Sequence, residues 1–245
     1  MNDNKTSQAI DAVYALPTLP AILGQVLDAT FDPDASALEL GRYIASDQSL
    51  AARLLRMVNS AYYGFYREIS SITTAVVILG FREIRNMLLT ATAFDALKNP
   101  ESDYDRQSLW RHSMASAMAA ERLGKRLNIQ VDGIFAAGLL HDVGKVALDC
   151  VAPHEFAQAV VKAHNEKRFL RETEPDLFGM DHAQVGGHLA LHWNFPEPIV
   201  EAVQRHHQPD EDSPNRTLVA IAAMADFITY QAGYPEGGNG RDAEF

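Results

Sequence analysis

Apolar residues recur along this chain at helical spacing, as with Ile22, Val26 and Leu27, while the alternation that marks half-buried strands is almost absent. That periodicity confines the chain to an all-α fold. With 245 residues, 47% of them apolar, there is enough material for a substantial core, built as one large domain or two lobes. Ser36 with Glu39 three residues on has the spacing of a capping box, and Asp132 precedes the run GIFAAGLL, so both read as helix starts. Gly64, Gly80 and Asn128 read as stops, because they tolerate the left-handed turn that closes a helix.

The polar, proline-containing segment KNPESDYD (98–105) is the expected boundary between an N-terminal helical lobe, residues 1–99, and a C-terminal helical bundle, residues 100–233. A second loop, QPDEDSPN, interrupts the bundle. Residues 234–245, YPEGGNGRDAEF, are too polar and glycine-rich to offset their ordering entropy, and are expected to form a disordered tail or the stub of a longer protein.

One cysteine, Cys150, allows no internal disulfide and no thiolate metal cluster within the chain, which fits a reducing compartment. The N-terminus lacks a basic start and an apolar stretch, and no run approaches the roughly 20 apolar residues that cross a bilayer. The expectation is a cytoplasmic protein with no membrane partner. A formal net charge of −11, with Lys and Arg scattered singly, repels phosphate backbones and argues against nucleic-acid binding. A small phosphorylated ligand stays open, because a buried metal supplies positive charge that a whole-chain sum does not register.

The stretch GIFAAGLLHDVGKVAL ends an apolar helical run in His141 and Asp142, which can offer an imidazole nitrogen and a carboxylate to one cation. Further candidates follow: His112 in SLWRHSMASAMAAERL, His182 in FGMDHAQVGGHLA, and His206 with His207 at the end of PIVEAVQRHH. Asp226 is the only charged residue between Arg216 and Glu236, and in that apolar helix its carboxylate must be paired, protonated or bound to a cation.

The order His112, His141 with Asp142, then Asp226 resembles the HD superfamily of metal-dependent phosphohydrolases, and His182, His206 and His207 match the added ligands of its dinuclear branch. LPTLPAIL, YIASDQSLAARLLRMVNSAYYG and ITTAVVILGFREIRNMLL narrow the resemblance to the HDOD family, as do WRHS, GLLHDVGK, LFGMDHAQVGGHLALHWNFPEPIVEAVQRHHQP and ADFI. The similarity runs from about residue 16 to 230. It implies an HD-like multi-helix bundle with an N-terminal helical lobe. It also implies a first metal on His112, His141, Asp142 and Asp226, with Asp142 bridging to a second on His182, His206 and His207. Nitrogen and carboxylate donors without thiolate favour one or two ions of iron, manganese or zinc over magnesium. In a catalytic version, Asp142 and Lys145 would be the catalytic pair, the metals activating a water and Lys145 neutralising the phosphate.

The chain departs from the relatives that hydrolyse cyclic dinucleotides. Ser108 stands where they carry an acidic ligand one turn before the first histidine, and His207 is followed by Gln208 rather than Glu. Gly233, Tyr234 and Pro235 lie too far downstream to count as their Gly-Tyr-Pro loop. Plainer readings stand beside the metal reading: His141 and Lys145 as neutralisers of a helix C-terminus, Asp226 as the partner of a buried Arg, and His206 with His207 as a solvated helix end. His188 and His192 form a rival pair four residues apart, set aside because no acid completes it; His154 and His164 read as surface residues. Tyr62, Tyr63, Phe65 and Tyr66 read as packing aromatics rather than a docking patch, and Asn59 and Ser60 as local hydrogen-bonding groups at a helix end.

The resulting expectation is a signal-transduction module whose bundle holds metal and whose N-terminal lobe meets a signalling protein partner. The alternatives are a phosphohydrolase acting on a nucleotide or cyclic dinucleotide, and a metal-free helical scaffold.

Overall fold

The computed structural model describes residues 2–19, 21–32, 34–60, 63–92, 97, 102, 104–210, 212–235 and 238. Among these, every regular element is an α-helix, and there is no strand. The chain divides into two compact units, one of Thr18–Ala96 and the other of Met1–Pro17 with Leu97–Phe245.

The Thr18–Ala96 unit holds five helices. To keep chain order they are α2 (Ala21–Phe31), α3 (Ala37–Ala45), α4 (Gln48–Val58), α5 (Ile72–Leu79) and α6 (Phe81–Thr92), α1 belonging to the other unit. Leu50, Leu54 and Val58 recur every four residues on the buried face of α4, and pack in a unit whose core also takes in Leu40, Ile44, Ile84 and Leu88. Ser36 caps α3 as expected, accepting from Glu39 N–H at 3.1 Å, but the Glu39 carboxylate accepts from Tyr43 Oη, so only half of the box forms. Gly80, at φ +81°, closes α5. Gly64 is not a helix stop: α4 ends at Val58 with Asn59 as its C-cap. The Asn59 amide donates to Leu55 O and Ile69 O and accepts from Ile69 N–H, pinning the following loop across ten residues. In that loop Tyr63 donates to Glu83 Oε1 and stacks on Phe65, whereas Tyr66 is fully exposed; Tyr62 lies outside the described residues.

The other unit opens with α1 (Asn2–Tyr14), although residues 1–99 are the expected N-terminal lobe. Its place follows from contacts more than 170 residues away in sequence: Lys5 Nζ donates to Asp176 O, His192 Nε2 to Leu16 O and Trp193 Nε1 to Pro17 O. The Tyr14 ring meets both His188 and His192 edge-on, so the rival histidine pair is occupied in packing. The unit continues through α7 (Arg106–Arg126), α8 (Ile134–Leu140), α9 (Val143–Val151), α10 (Pro153–Glu166), α11 (Leu170–Phe178), α12 (His182–His192), α13 (Glu197–Arg205) and α14 (Arg216–Gln231). Asn128, at φ +53°, follows the end of α7 as expected. At α8 the N-cap is Gly133 in the left-handed region rather than Asp132, so no side chain caps that helix.

Two glycines set how closely these helices cross. A Cβ on Gly138 of α8 would stand 2.8 Å from the Ala117 backbone of α7, and one on Gly144 of α9 would stand 1.9 Å from His182 O at the start of α12. The second crossing brings the HDVGK corner against the first turn of α12. Gly144→Ala should therefore cost about 1–3 kcal/mol or more through forced separation of the two helices. Urea denaturation of the variant in the presence of a chelator measures that cost, and unchanged stability would refute this account of the crossing.

Candidate metal centre

Local structure explains how each side chain reaches the site. His112 lies within α7 on a face buried with Leu109, Ser113 and Ser116. His141 and Asp142 are the two residues between α8 and α9, and the corner they form turns both side chains inward, where neither is exposed. Lys145 follows within the first turn of α9, also with no exposure. His182 opens α12, behind an Asp181 cap that forms a complete capping box with Gln184. His206 and His207 follow the last turn of α13, and Asp226 sits within α14.

All seven expected ligands converge. Asp142 Oδ2 lies 3.4 Å from His141 Nε2 and 3.9 Å from His112 Nε2, and Asp226 Oδ1 lies 3.1 Å from His112 Nε2 and 3.7 Å from His141 Nε2. The other oxygen, Asp142 Oδ1, faces His182 Nε2 at 3.2 Å and His206 Nε2 at 3.8 Å, while His182 Nε2 and His207 Nε2 stand 2.9 Å apart. Donors bound about 2.1 Å from one ion stand about 3.0–3.4 Å from one another, so both groups have the spacing of a metal shell. The donor atoms of Asp142, His182, His206 and His207 all lie within 4.8 Å of one another, as do those of His112, His141 and Asp142.

The outer edges of the rings strengthen this. His112 Nδ1 donates to Tyr234 O at 2.8 Å, His141 Nδ1 to Gly138 O at 2.9 Å, and His206 Nδ1 to Val203 O at 2.8 Å. His182 Nδ1 donates to Glu174 Oε2 at 2.7 Å. With the Nδ1 proton committed outward, each neutral ring turns a bare Nε2 lone pair inward. The 3.2 Å approach of His112 Nε2 to His141 Nε2 then requires a positive charge near the pair, as a proton or as a metal ion. Asp142 Oδ1 and His206 Nε2 are buried without a hydrogen-bond partner, the state expected of ligand atoms.

Proton affinities follow the same division. Burial opposes charge on His141, yet the Asp142 and Asp226 carboxylates hold it well above the ordinary imidazole range. Burial likewise opposes charge on His182, and the Glu174 carboxylate leads the groups that raise it to about 10. Burial, with His141 alongside, lowers His206 to about 3, and burial with His206 alongside takes His207 well below its usual value. Asp142 is held well below the carboxylate range against burial, by Lys145 first and His141 next. Asp226 is also depressed against burial, by hydrogen bonds from His112 and His141. Without metal, the positive charges beside Asp142 are those of Lys145 and His141 at Oδ2 and of His182 at Oδ1.

Lys145 is part of the cluster, its Nζ donating to Asp142 Oδ2 at 2.8 Å. Ser108 is not a ligand, because its hydroxyl donates to Asp105 Oδ2 at the N-cap of α7. His154 and His164 are exposed, as expected. Two contributors escaped the sequence reading. Glu174 shares the buried face of α11 with Leu170, Thr173 and Phe178, and that acid on an otherwise uncharged face was the available signal. Tyr234 was assigned to the disordered tail, but Gly233, at φ +86°, turns the chain so that Tyr234 O accepts from His112; of the later residues only Pro235 and Gly238 are described. A backbone carbonyl leaves no mark in a sequence.

A family model, the HDOD domain, matches residues 16–209. The chain belongs to the HDOD family. Among solved structures it is similar to an HDOD domain protein of unknown function from Geobacter sulfurreducens, at 31% identity and TM-score 0.81, covering 97% of this chain and 83% of that one. A protein named as a candidate phosphohydrolase from Shewanella amazonensis is 27% identical, with TM-score 0.79, over 94% of this chain and 82% of that one. A protein of unassigned function from Treponema pallidum is 28% identical over 87% of this chain and 42% of its own length. The chain spans less than half the length of the curated relatives it matches. The HDOD match ends before Asp226, whose inclusion in the centre therefore rests on geometry.

Asp142→Ala leaves the buried Lys145 ammonium without this counter-charge, and should cost about 3–5 kcal/mol in chelator. Adding Lys145→Met should recover most of that loss, as read by urea denaturation of the single and double variants. Equal stability of the single variant and the wild type would show that the pair does not hold the corner.

Proposed function

We propose that this HDOD chain is a metal-loaded regulatory module of signal transduction, in which His112, His141, Asp142 and Asp226 hold one divalent ion and Asp142, His182, His206 and His207 a second. The observation that carries the reading is the division of Asp142, whose two buried oxygens face separate sets of imidazoles. A set rich in imidazole and free of thiolate favours iron, manganese or zinc. When bound, such ions would polarise a phosphoryl oxygen and acidify a water. The chain's own residues orient the rings, exclude solvent and, through Lys145, fix Asp142 in place.

Access supports regulation over turnover of large substrates. His112, His141, Asp142, His182 and His206 are all buried, and of the seven candidate ligands Asp226 and His207 are the two that are partly exposed. A small phosphorylated ligand fits such limited exposure better than a nucleic acid does. The fully exposed Tyr66 in the Thr18–Ala96 unit offers an anchor for a protein partner, since aromatic residues are enriched at protein interfaces. Among the described residues no helix is long and apolar enough to cross a membrane.

The second reading is a metal-dependent phosphohydrolase of a nucleotide or cyclic dinucleotide. The Asp226 edge would admit a phosphate to the ions, and the relative from Shewanella amazonensis carries a phosphohydrolase name. In that reading Lys145 acts through Asp142, because its Nζ is fully buried.

Elemental analysis of protein produced with metal supplied should find one to two equivalents of transition metal, and Asp226→Ala should lower both that content and the melting temperature. Less than about half an equivalent in the wild type would sink both readings and leave the helical scaffold. With metal present, turnover of a phosphodiester that Asp142→Ala abolishes would favour the enzyme; inactivity across a panel of nucleotides and cyclic dinucleotides would favour the regulatory module.

A further inference from the structure

Charge is distributed unevenly across the two proposed ion positions. On the His112 side a dication would meet Asp226 in addition to its share of Asp142. On the other side it would meet three imidazoles and only Asp142 Oδ1, from a carboxylate already paired through Oδ2 with Lys145 at 2.8 Å. One carboxylate stands behind that second set. Glu174 is fully buried, and its Oε2 accepts both the backbone N–H of His182 at 2.8 Å and His182 Nδ1–H at 2.7 Å. The backbone bond ties the carboxylate to the first residue of α12, so ring and acid keep their relative geometry. The rings of His112, His141 and His206 are backed by neutral carbonyls instead.

A second observation points the same way. Glu174 Oε1 is buried and has no hydrogen-bond partner. A half-satisfied carboxylate in that position is costly unless a positive charge nearby compensates it.

We infer that Glu174 is the charge partner of the ion on the His182 side and sets the occupancy of that position independently of the His112 side. The inference rests on the dinuclear reading above. Glu174 is a positioning residue: it acts through His182, fixing the tautomer, making the ring a stronger donor and supplying the negative charge that Asp226 supplies on the other side.

The test uses the full chain, stripped with chelator, titrated with Mn(II) and Zn(II), and counted by elemental analysis. Glu174→Gln keeps an acceptor oxygen and nearly the same shape while removing the charge. The expected result is two ions in the wild type, and in Glu174→Gln one ion bound as before with the second weakened about 10–100-fold. Electron paramagnetic resonance of the manganese form should change from a coupled pair to an isolated ion. Glu174→Gln combined with Asp226→Asn should weaken both positions. Two ions bound by Glu174→Gln with wild-type affinity would overturn the inference and leave the dinuclear centre intact. A wild type that binds no ion would defeat the proposed function itself. A wild type that holds a single ion would defeat the dinuclear reading and the inference with it. In chelator, Glu174→Gln should melt below the wild type, because it neutralises one partner of the buried His182–Glu174 pair. A Glu174→Gln chain that fails to fold even with metal supplied would assign Glu174 a purely structural role and overturn the inference.

Discussion

The unit of Met1–Pro17 with Leu97–Phe245 is organised around one buried carboxylate. Asp142 has no solvent exposure, yet it sits among four histidines and a lysine that come from α7, α9, the α8–α9 corner, the start of α12 and the end of α13. Its negative charge makes the burial of Lys145 tolerable, and its two oxygens face different rings. A buried charge network of this kind is costly to fold, so its presence argues for a role beyond stability. The glycines at 138 and 144 are the steric counterpart, because they leave no room for a Cβ where α8 meets α7 and α9 meets α12.

The outer hydrogen bonds separate a centre from a chance cluster of histidines. Three rings spend their Nδ1 protons on main-chain carbonyls and one on a carboxylate, which leaves lone pairs aimed at a common space. The arrangement is indifferent to whether the chain hydrolyses anything. Such a pre-oriented donor set would serve equally as the heart of an enzyme or as the element that holds a signalling domain in one conformation. The narrow exposure at Asp226 and His207 restricts what can reach it.

Much of the ligand set was legible in sequence because its members carry chemical identity. Asp226 is marked by its isolation in an apolar helix, and His141 with Asp142 by their place at the end of one. Groups that act through geometry were not legible. Glu174 reads as one acid among many until α11 is seen to bury it, and Tyr234 contributes only a carbonyl. The same limit applies to the fold: Gly80 and Asn128 end helices as expected, whereas Gly64 does not, because the Asn59 side chain had already closed α4.

The sequence by itself determined the helical class, the HDOD family and the identity of seven of the residues gathered at the centre, since periodicity and residue chemistry are local properties. Tertiary structure alone decided that α1 joins the C-terminal unit, that Asp142 divides its oxygens between two sets of rings, and that Glu174 backs one of them. Those outcomes depend on contacts between residues as many as 176 positions apart, including backbone groups that every residue shares, and no local pattern encodes them.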